Sequence, residues 1–375
     1  MNAKRHILTR LVPALIVLLV LGIALYREKG KPPAPASPQE LLQPDMAWGQ
    51  YEFLTSVFHT DCRLVLFGPR YQVHNAYGRC SESLFQLHNA LNAFDPQSEL
   101  SRFHQAPANT PIPLSPLLWR TFQAARQAYQ ETQGAFDVTI GPLMDLWRQV
   151  AKHPDAPQFQ GEALETLCAK TRESVGFALL SWDDAARTVT KSRPEIRVDF
   201  GGLAKGLALD ILREILREDA IEYYYISLGG NTLQNLPPDH PYQDLCGLAD
   251  LRGGHEGEER CTLAGTAGQC VATSANTLRP LSPASSGRPL GHILEPATGK
   301  PVAPPYASVT AVCADGWRSD AYSTAVFVRG ESLAQALLEA NLATGFVLTP
   351  PQQPPRVLGK LALQPPEEAP SEERP

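Results

Sequence analysis

Val198–Asp210, VDFGGLAKGLALD, holds a strand-like run, a glycine pair and a helical run in one short stretch. Ile196, Val198 and Phe200 alternate as a half-buried strand does, whereas Leu207, Ile211 and Ile215 recur at helical spacing. Gly201-Gly202 therefore marks the turn between a strand and a helix. Glycines there let the backbone approach a ligand closely, and the free N–H groups of a new helix, with its dipole, favour an anion such as phosphate. Lys205 falls in the first helical turn, where the positive end of the dipole repels it, so the stretch predicts an anionic neighbour for it. A tight connection carrying a solvated lysine is the other reading of the same residues.

Working outward, the chain of 375 residues with 43% apolar content is long enough for one large or two medium domains with a real core. A net charge of −6 and the lack of a basic stripe interleaved with aromatics argue against nucleic acid. At the N-terminus Lys4, Arg5 and Arg10 precede the uncharged run Leu11–Tyr26. That run is shorter than the roughly 20 residues of a spanning helix, and Arg10 and Arg27 extend it by snorkelling, so residues 1–27 are expected to be an uncleaved signal anchor. Residues 28–46, proline-rich and without apolar periodicity, read as a tether, and residues 364–375, rich in Pro and Glu, as a disordered tail. The chemistry is then expected within residues 47–363, outside the cytoplasm.

The seven cysteines show no C-x-x-C and no Cys/His pairing, which argues against a zinc site, and an odd count leaves at least one thiol unpaired in an oxidising compartment. No phosphate loop of the Walker type, nucleophile elbow or H-E-x-x-H helix is present. Strands are predicted at Cys62–Phe67, Tyr223–Leu228, Ser308–Cys313 and Gly345–Leu348, with another short one over Val357–Leu363. Helices are predicted over Ser81–Ala93, from Ser115-Pro116 to the Gly134 stop, and over Ser332–Asn341. Strands and helices without regular alternation give the class α+β.

In WRSDAYSTAVFV, Ser319 reads as an N-cap, placing Asp320 and Thr324 one turn apart on a single helical face. A carboxylate beside a hydroxyl suits Mg²⁺, although an aspartate next to a helix start is stabilised by the dipole with no metal. As a surface-turn carboxylate, Asp320 is expected to be replaceable by Ala without loss of fold. In GHILEPATGKPV, residues 291–302, His292 reads either as an acid–base group or as a packed histidine.

Taken in order, these pieces resemble the ApbE-type flavin transferases, the FAD:protein FMN transferases. The resemblance runs collinearly from about Phe58 to Gly345, through SELSRF (98–103), GAFDVT (134–139) with Gly141-Pro142-Leu143 and Trp147, and DFGGLAKG (199–206). It continues through LGGN (228–231), Thr273-Ser274 with Arg279, His292 with Pro296 and Thr298-Gly299, and DAYST (320–324). The chain departs from the family at Phe58-His59-Thr60 (Met-Gly-Thr there), His104 (Asn), Ala275-Asn276-Thr277 (a Gly-Asp-Tyr-like run) and Glu295 (Asp).

The resemblance implies a single mixed α/β catalytic domain of the T-fold-like ApbE type behind the anchor. It implies Mg²⁺ ligands at Asp320, Thr324 and the Gly202 carbonyl, and flavin-site positions at Phe58, Phe94, Ala135, Phe136, Asp137, Asp199, Lys205 and Leu294. His292 and Lys205 are the implied catalytic residues. FAD is the implied substrate, its FMN half passing to a Thr or Ser hydroxyl of an extracytoplasmic acceptor in a redox complex, with AMP released. The implied location is the bacterial inner membrane, with the domain facing the periplasm. FAD diphosphatase activity and non-catalytic flavin carriage are the rival readings.

Overall fold

An eight-stranded antiparallel sheet carries the rest of the molecule. The computed structural model describes residues 48–240, 245–249, 259–276, 281, 290–303, 305–351 and 353–364. In it, eight strands pair in chain order: β1 (Trp48–Val57), β2 (Thr60–Pro69), β3 (Tyr223–Leu228), β4 (Asn231–Asn235), β5 (Cys270–Ala275), β6 (Ser308–Cys313), β7 (Gly345–Thr349) and β8 (Arg356–Gly359). Each neighbouring pair is antiparallel. Two-residue turns, Phe58-His59 and Gly229-Gly230, close the β1–β2 and β3–β4 hairpins.

The helices are α1 (Arg70–Leu91), α2 (Glu99–Gln105), α3 (Pro116–Glu131), α4 (Gly141–Lys152), α5 (Gly161–Arg172), α6 (Ala204–Glu218), α7 (Gly316–Arg329) and α8 (Glu331–Glu339). On one face of the sheet, Leu64 and Leu66 of β2, Ile226 of β3 and Val309 and Ala311 of β6 join side chains of α1, α6 and α7 in the main core. Each leucine, isoleucine or valine among them contributes about 1.5–3 kcal/mol on full burial. On the other face, Val271, Val312 and Val347 meet Cys246 and Leu263 of a three-stranded sheet formed by Leu245–Ala249, Glu259–Ala264 and Ala362–Gln364. β6 is buried on both faces, which is why it reads SVTAVC and does not alternate with polar residues.

α6 and α7 cross with their backbones in contact. A Cβ on Gly206 would lie 2.0 Å from the Gly316 carbonyl oxygen, and one on Gly316 would lie 2.2 Å from that of Gly206. Asp210 of α6 fixes the crossing from the side: its Oδ1 accepts from Gly316 N–H (2.8 Å) and its Oδ2 from Trp317 N–H (3.0 Å), capping the start of α7. Both Gly206 and Asp210 belong to the stretch 198–210.

The structure departs from the sequence reading at four places. Residues 196–200 are extended, with Ile196, Val198 and Phe200 buried, but they are not a sheet strand. Their polar groups are taken elsewhere: Val198 N–H donates to His104 Nε2 (3.0 Å) and Asp199 N–H to Val138 O (2.7 Å). α7 begins at Gly316, so Ser319 is not its cap and instead donates to the Gly316 carbonyl inside the helix (2.8 Å). α1 begins at Arg70, well before Ser81. The span 357–363 holds parts of two strands in different sheets, and the second includes Gln364, paired with Thr262. The expected anchor (1–27), linker (28–46), Arg279, Thr277 and the rest of the tail lie outside the described residues. Among the described residues no helix is long and apolar enough to cross a membrane.

Candidate functional site

The glycine crossing brings the start of α6 against the middle of α7, and a polar corner forms there. At Gly202 a Cβ would come 3.1 Å from Thr324 Oγ1 and 3.2 Å from the Phe136 ring, so any larger residue requires those two side chains to give by a few tenths of an ångström. Asp320, 4% exposed, accepts the Gly206 N–H at Oδ2 (3.0 Å) and has Lys205 Nζ 3.4 Å from Oδ1. This carboxylate from α7 is the anionic neighbour that Lys205 requires at the positive end of α6. It also corrects the expectation of a surface-turn carboxylate, because Asp320 is buried and hydrogen-bonded. Lys205 further donates to Gly201 O (3.3 Å), and Asp199 Oδ1 accepts from Gly201 N–H (2.8 Å), so both polar backbone groups of Gly201 are tied down. Thr324 Oγ1 stands 3.0 Å from Ser274 Oγ of β5.

Lys205 also borders a cleft of about 430 Å³, shared with Asp199 and Gly201 and lined as well by the rings of Phe58 and Phe94. Phe94 is 76% exposed, a large apolar ring open at the mouth. Arg148 and Arg197 line the same cleft and meet across Asp145: Arg148 Nη1 is 3.1 Å from Asp145 Oδ1, and Arg197 Nε is 3.4 Å from Oδ2. Arg148 Nη2 lies 3.5 Å from Asp199 Oδ2. Lys205, Arg148 and Arg197 thus line the cleft together with Asp145 and Asp199, and each of the three cations lies within 3.5 Å of a carboxylate.

His104 also lines the cleft. Its Nδ1 is buried without a partner, and burial, reinforced by Arg197, pushes its pKa down to about 4. His59 and His88 border the cleft beside Phe58. Sequence reading missed Arg148, Arg197, Asp145, His59 and His88. For His88 a signal existed, since it continues the Leu84, Leu91 face of α1 and so places a polar ring in an apolar stripe.

The remaining expected positions lie outside the cleft lining. Ala135 and Phe136 are core residues, Phe136 reaching Gly202 from behind. Asp137 turns inward: its Oδ1 accepts from the Thr139 hydroxyl (2.6 Å) and amide (2.8 Å), while burial raises its pKa. Leu294 packs with Leu143, Trp147 and Cys168 in a satellite core. His292 precedes it on a segment held by Asn276, which accepts from Ile293 N–H (3.2 Å) and donates to Val302 O (3.0 Å). Asn276 follows β5 by one residue, and β5 carries Ser274 against Thr324.

The corner's donors fit a hard divalent cation. Asp320, Thr324 and the Gly202 backbone offer oxygen only, and the space that a Cβ at Gly202 would fill lies against Thr324 Oγ1. Asp320 Oδ1 also has the Lys205 ammonium 3.4 Å away.

Known proteins agree on the fold. A flavin transferase ApbE from Vibrio cholerae superposes with a TM-score of 0.67 at 22% identity, covering 83% of this chain and 97% of that one. The ApbE protein of Thermotoga maritima gives a TM-score of 0.70 at 24% identity, covering 82% and 96%. Among curated sequences, an FAD:protein FMN transferase of Vibrio cholerae is 28% identical over 260 residues, 69% of this chain and 74% of that protein. One from Haemophilus influenzae is 27% identical over 262 residues, 67% of this chain and 71% of that protein. Residues 58–347 match the ApbE family, and with that span covering most of its length the chain belongs to the ApbE family.

Proposed function

We propose that the protein transfers FMN from FAD to a threonine or serine hydroxyl of a second, extracytoplasmic protein; the name its relatives carry, FAD:protein FMN transferase, supports the transfer of FMN from FAD to a protein. The observation that carries this reading is the position of Lys205, which stands at once in the aromatic-walled cleft and against Asp320 of the oxygen-lined corner. A ligand with a ring at one end and a diphosphate at the other spans that arrangement. The ring would lie against Phe58 and Phe94, and the diphosphate over the Gly201-Gly202 turn, where Lys205 offsets charge on the non-bridging oxygens. Arg148 and Arg197 add positive potential along the path.

Asp320, Thr324 and the Gly202 carbonyl would hold Mg²⁺, which would supply further charge stabilisation at the phosphates. In the transfer the acceptor oxygen bonds to the phosphorus on the FMN side, the bond from that phosphorus to the bridging oxygen breaks, and AMP leaves with that oxygen. His292 is assigned the hydroxyl proton.

The N-terminal charge pattern, Lys4, Arg5 and Arg10 before an uncharged run, supports an anchor over residues 1–27 and a tether over 28–46. They would hold the catalytic domain at the periplasmic face of the inner membrane, beside an acceptor subunit of a redox complex. The test is mass spectrometry of an acceptor protein after incubation with this protein, FAD and Mg²⁺. A mass gain equal to one FMN residue on a Thr or Ser, with AMP released in equal amount, supports the reading. AMP and free FMN with an unlabelled acceptor makes the protein a diphosphatase, and a stoichiometric yellow complex without AMP makes it a flavin carrier.

A further inference from the structure

The β1–β2 turn is built from residues that such a turn disfavours. Val57 and Thr60 pair directly, so Phe58 and His59 are its two central residues, with φ of +54° and +57°. Two consecutive left-handed residues select Asn-Gly, because any larger side chain strains the backbone. Here the pair is a phenylalanine and a histidine, and both face the cleft. Strain of this kind persists only where the surroundings hold it.

His88, in the last turn of α1, supplies the hold. Its Nδ1 lies 3.1 Å from Phe58 N and accepts that amide's hydrogen. Its ring stands edge-on to Phe58 (centroids 5.5 Å apart, 79°) and to His59 (5.8 Å, 77°), and His59 meets Phe94 in the same manner (6.4 Å, 75°). One imidazole therefore touches both turn residues, and through His59 it orients the exposed ring at the cleft mouth. An accepting Nδ1 requires a neutral ring with its proton on Nε2. Burial, and after it the neighbouring His59, lower the His88 pKa and so favour the neutral ring.

We propose that His88 is a positioning residue for the ring end of the substrate: by accepting the Phe58 amide it holds the Phe58-His59 turn left-handed and so sets the aromatic wall formed with Phe94. The inference rests on the reading that this wall receives a flavin nucleotide, and it assigns a role to a residue outside the diphosphate corner.

The experiment uses His88→Asn, which keeps an acceptor oxygen near the position of Nδ1, with His88→Gln, which carries it one bond too far, and His88→Ala, which removes it. FAD affinity is read by flavin fluorescence, kcat and KM by AMP release, and the turn by hydrogen exchange at the Phe58 amide. The Gln and Ala variants are expected to weaken FAD binding and raise KM by roughly tenfold while kcat changes by less than about threefold. Phe58 exchange quickens in both. In His88→Asn all three readouts return to within about threefold of the parent. Equal behaviour of Asn and Ala, or a fall in kcat at unchanged affinity, overturns the proposal. If the parent binds no FAD, the functional reading fails separately, and Phe58 exchange alone then decides: protection in Asn with loss in Gln and Ala upholds the hold on the turn, and uniform exchange ends it.

Discussion

At the crossing of α6 and α7 the backbones touch at Gly206 and Gly316, and Gly202, Lys205, Asp320 and Thr324 fall into one corner because two helices have no freedom to sit elsewhere. At the other end of the cleft, Phe58, His88 and Phe94 arrive from a strained turn, a helix end and a loop, held by ring contacts and one hydrogen bond from the Phe58 amide to His88. The first region is locked by backbone sterics and buried hydrogen bonds. The second is adjustable, since Phe94 is mostly exposed and the turn depends on one acceptor. The corner is built to hold charge at a fixed place, and the wall to accommodate a ring.

The sharpest way to break this contrast is to open the crossing. Gly206→Ala places a methyl 2.0 Å from the Gly316 carbonyl oxygen, where backbone must move, and a loss of about 3 kcal/mol or more is expected in chemical denaturation, with no AMP release. Gly78→Ala in α1 is the control: nothing lies within 4 Å of its Cβ, and a gain of about 0.4–1 kcal/mol is expected.

Next in size is Asp320→Ala. It strands the Gly206 amide and the Lys205 ammonium, so stability is expected to fall by about 1–3 kcal/mol. Turnover is expected to fall by about 10²–10³ from the lost charge at the corner. A melt separates the two effects: if the variant melts with the parent, the buried hydrogen bond to Gly206 contributes nothing measurable to the fold.

The corner was legible because its parts lie in two short stretches with local signatures. The 198–210 stretch showed a glycine turn, a misplaced lysine and helical periodicity, and Asp320 with Thr324 showed i, i+4 spacing. What remained hidden was their depth. Nothing in DAYST reveals that Gly316 lets α7 approach α6 until Asp320 is buried, and an N-cap at Ser319 was the simpler local parse. The extended run 196–200 misled for a related reason: its alternation is real, but its backbone partner is the His104 ring, and periodicity cannot distinguish that from a neighbouring strand. The cleft wall was barely legible. Its residues are far apart in the chain, its turn carries no turn signature, and Arg148 and Arg197 resemble any solvated arginines until Asp145 is placed between them.

A smaller effect, of opposite sign on the two properties, is expected from replacing Phe58-His59 by Asn-Gly. The new pair suits a left-handed turn, so stability should rise by about 1 kcal/mol. FAD binding should weaken by about tenfold as the ring contacts disappear. Denaturant midpoints and fluorescence titration read the two changes. A destabilised variant would show that His88 and the rings already offset the strain of the turn.

The finest test concerns pH, and it acts on the extended run that joins the two regions. The neutral His104 ring accepts the Val198 amide, and folding lowers its pKa from the ordinary 6.5 to about 4 through burial and then Arg197, with Lys191 adding a further cationic neighbour. A depressed pKa means that the unfolded chain takes up the proton first. The contribution is therefore complete above pH 6.5 and is lost as pH falls toward about 4. Between pH 7 and 5.5 the parent is expected to lose about 1 kcal/mol more than His104→Asn, whose side chain does not titrate in that range. The loss should begin at one end: Val198 amide exchange should quicken on acidification, while the Gly206 amide, held by Asp320 at the crossing, keeps its protection. If both amides respond together, the run and the crossing unfold as one unit, and the distinction between a locked corner and an adjustable wall does not extend to their dynamics.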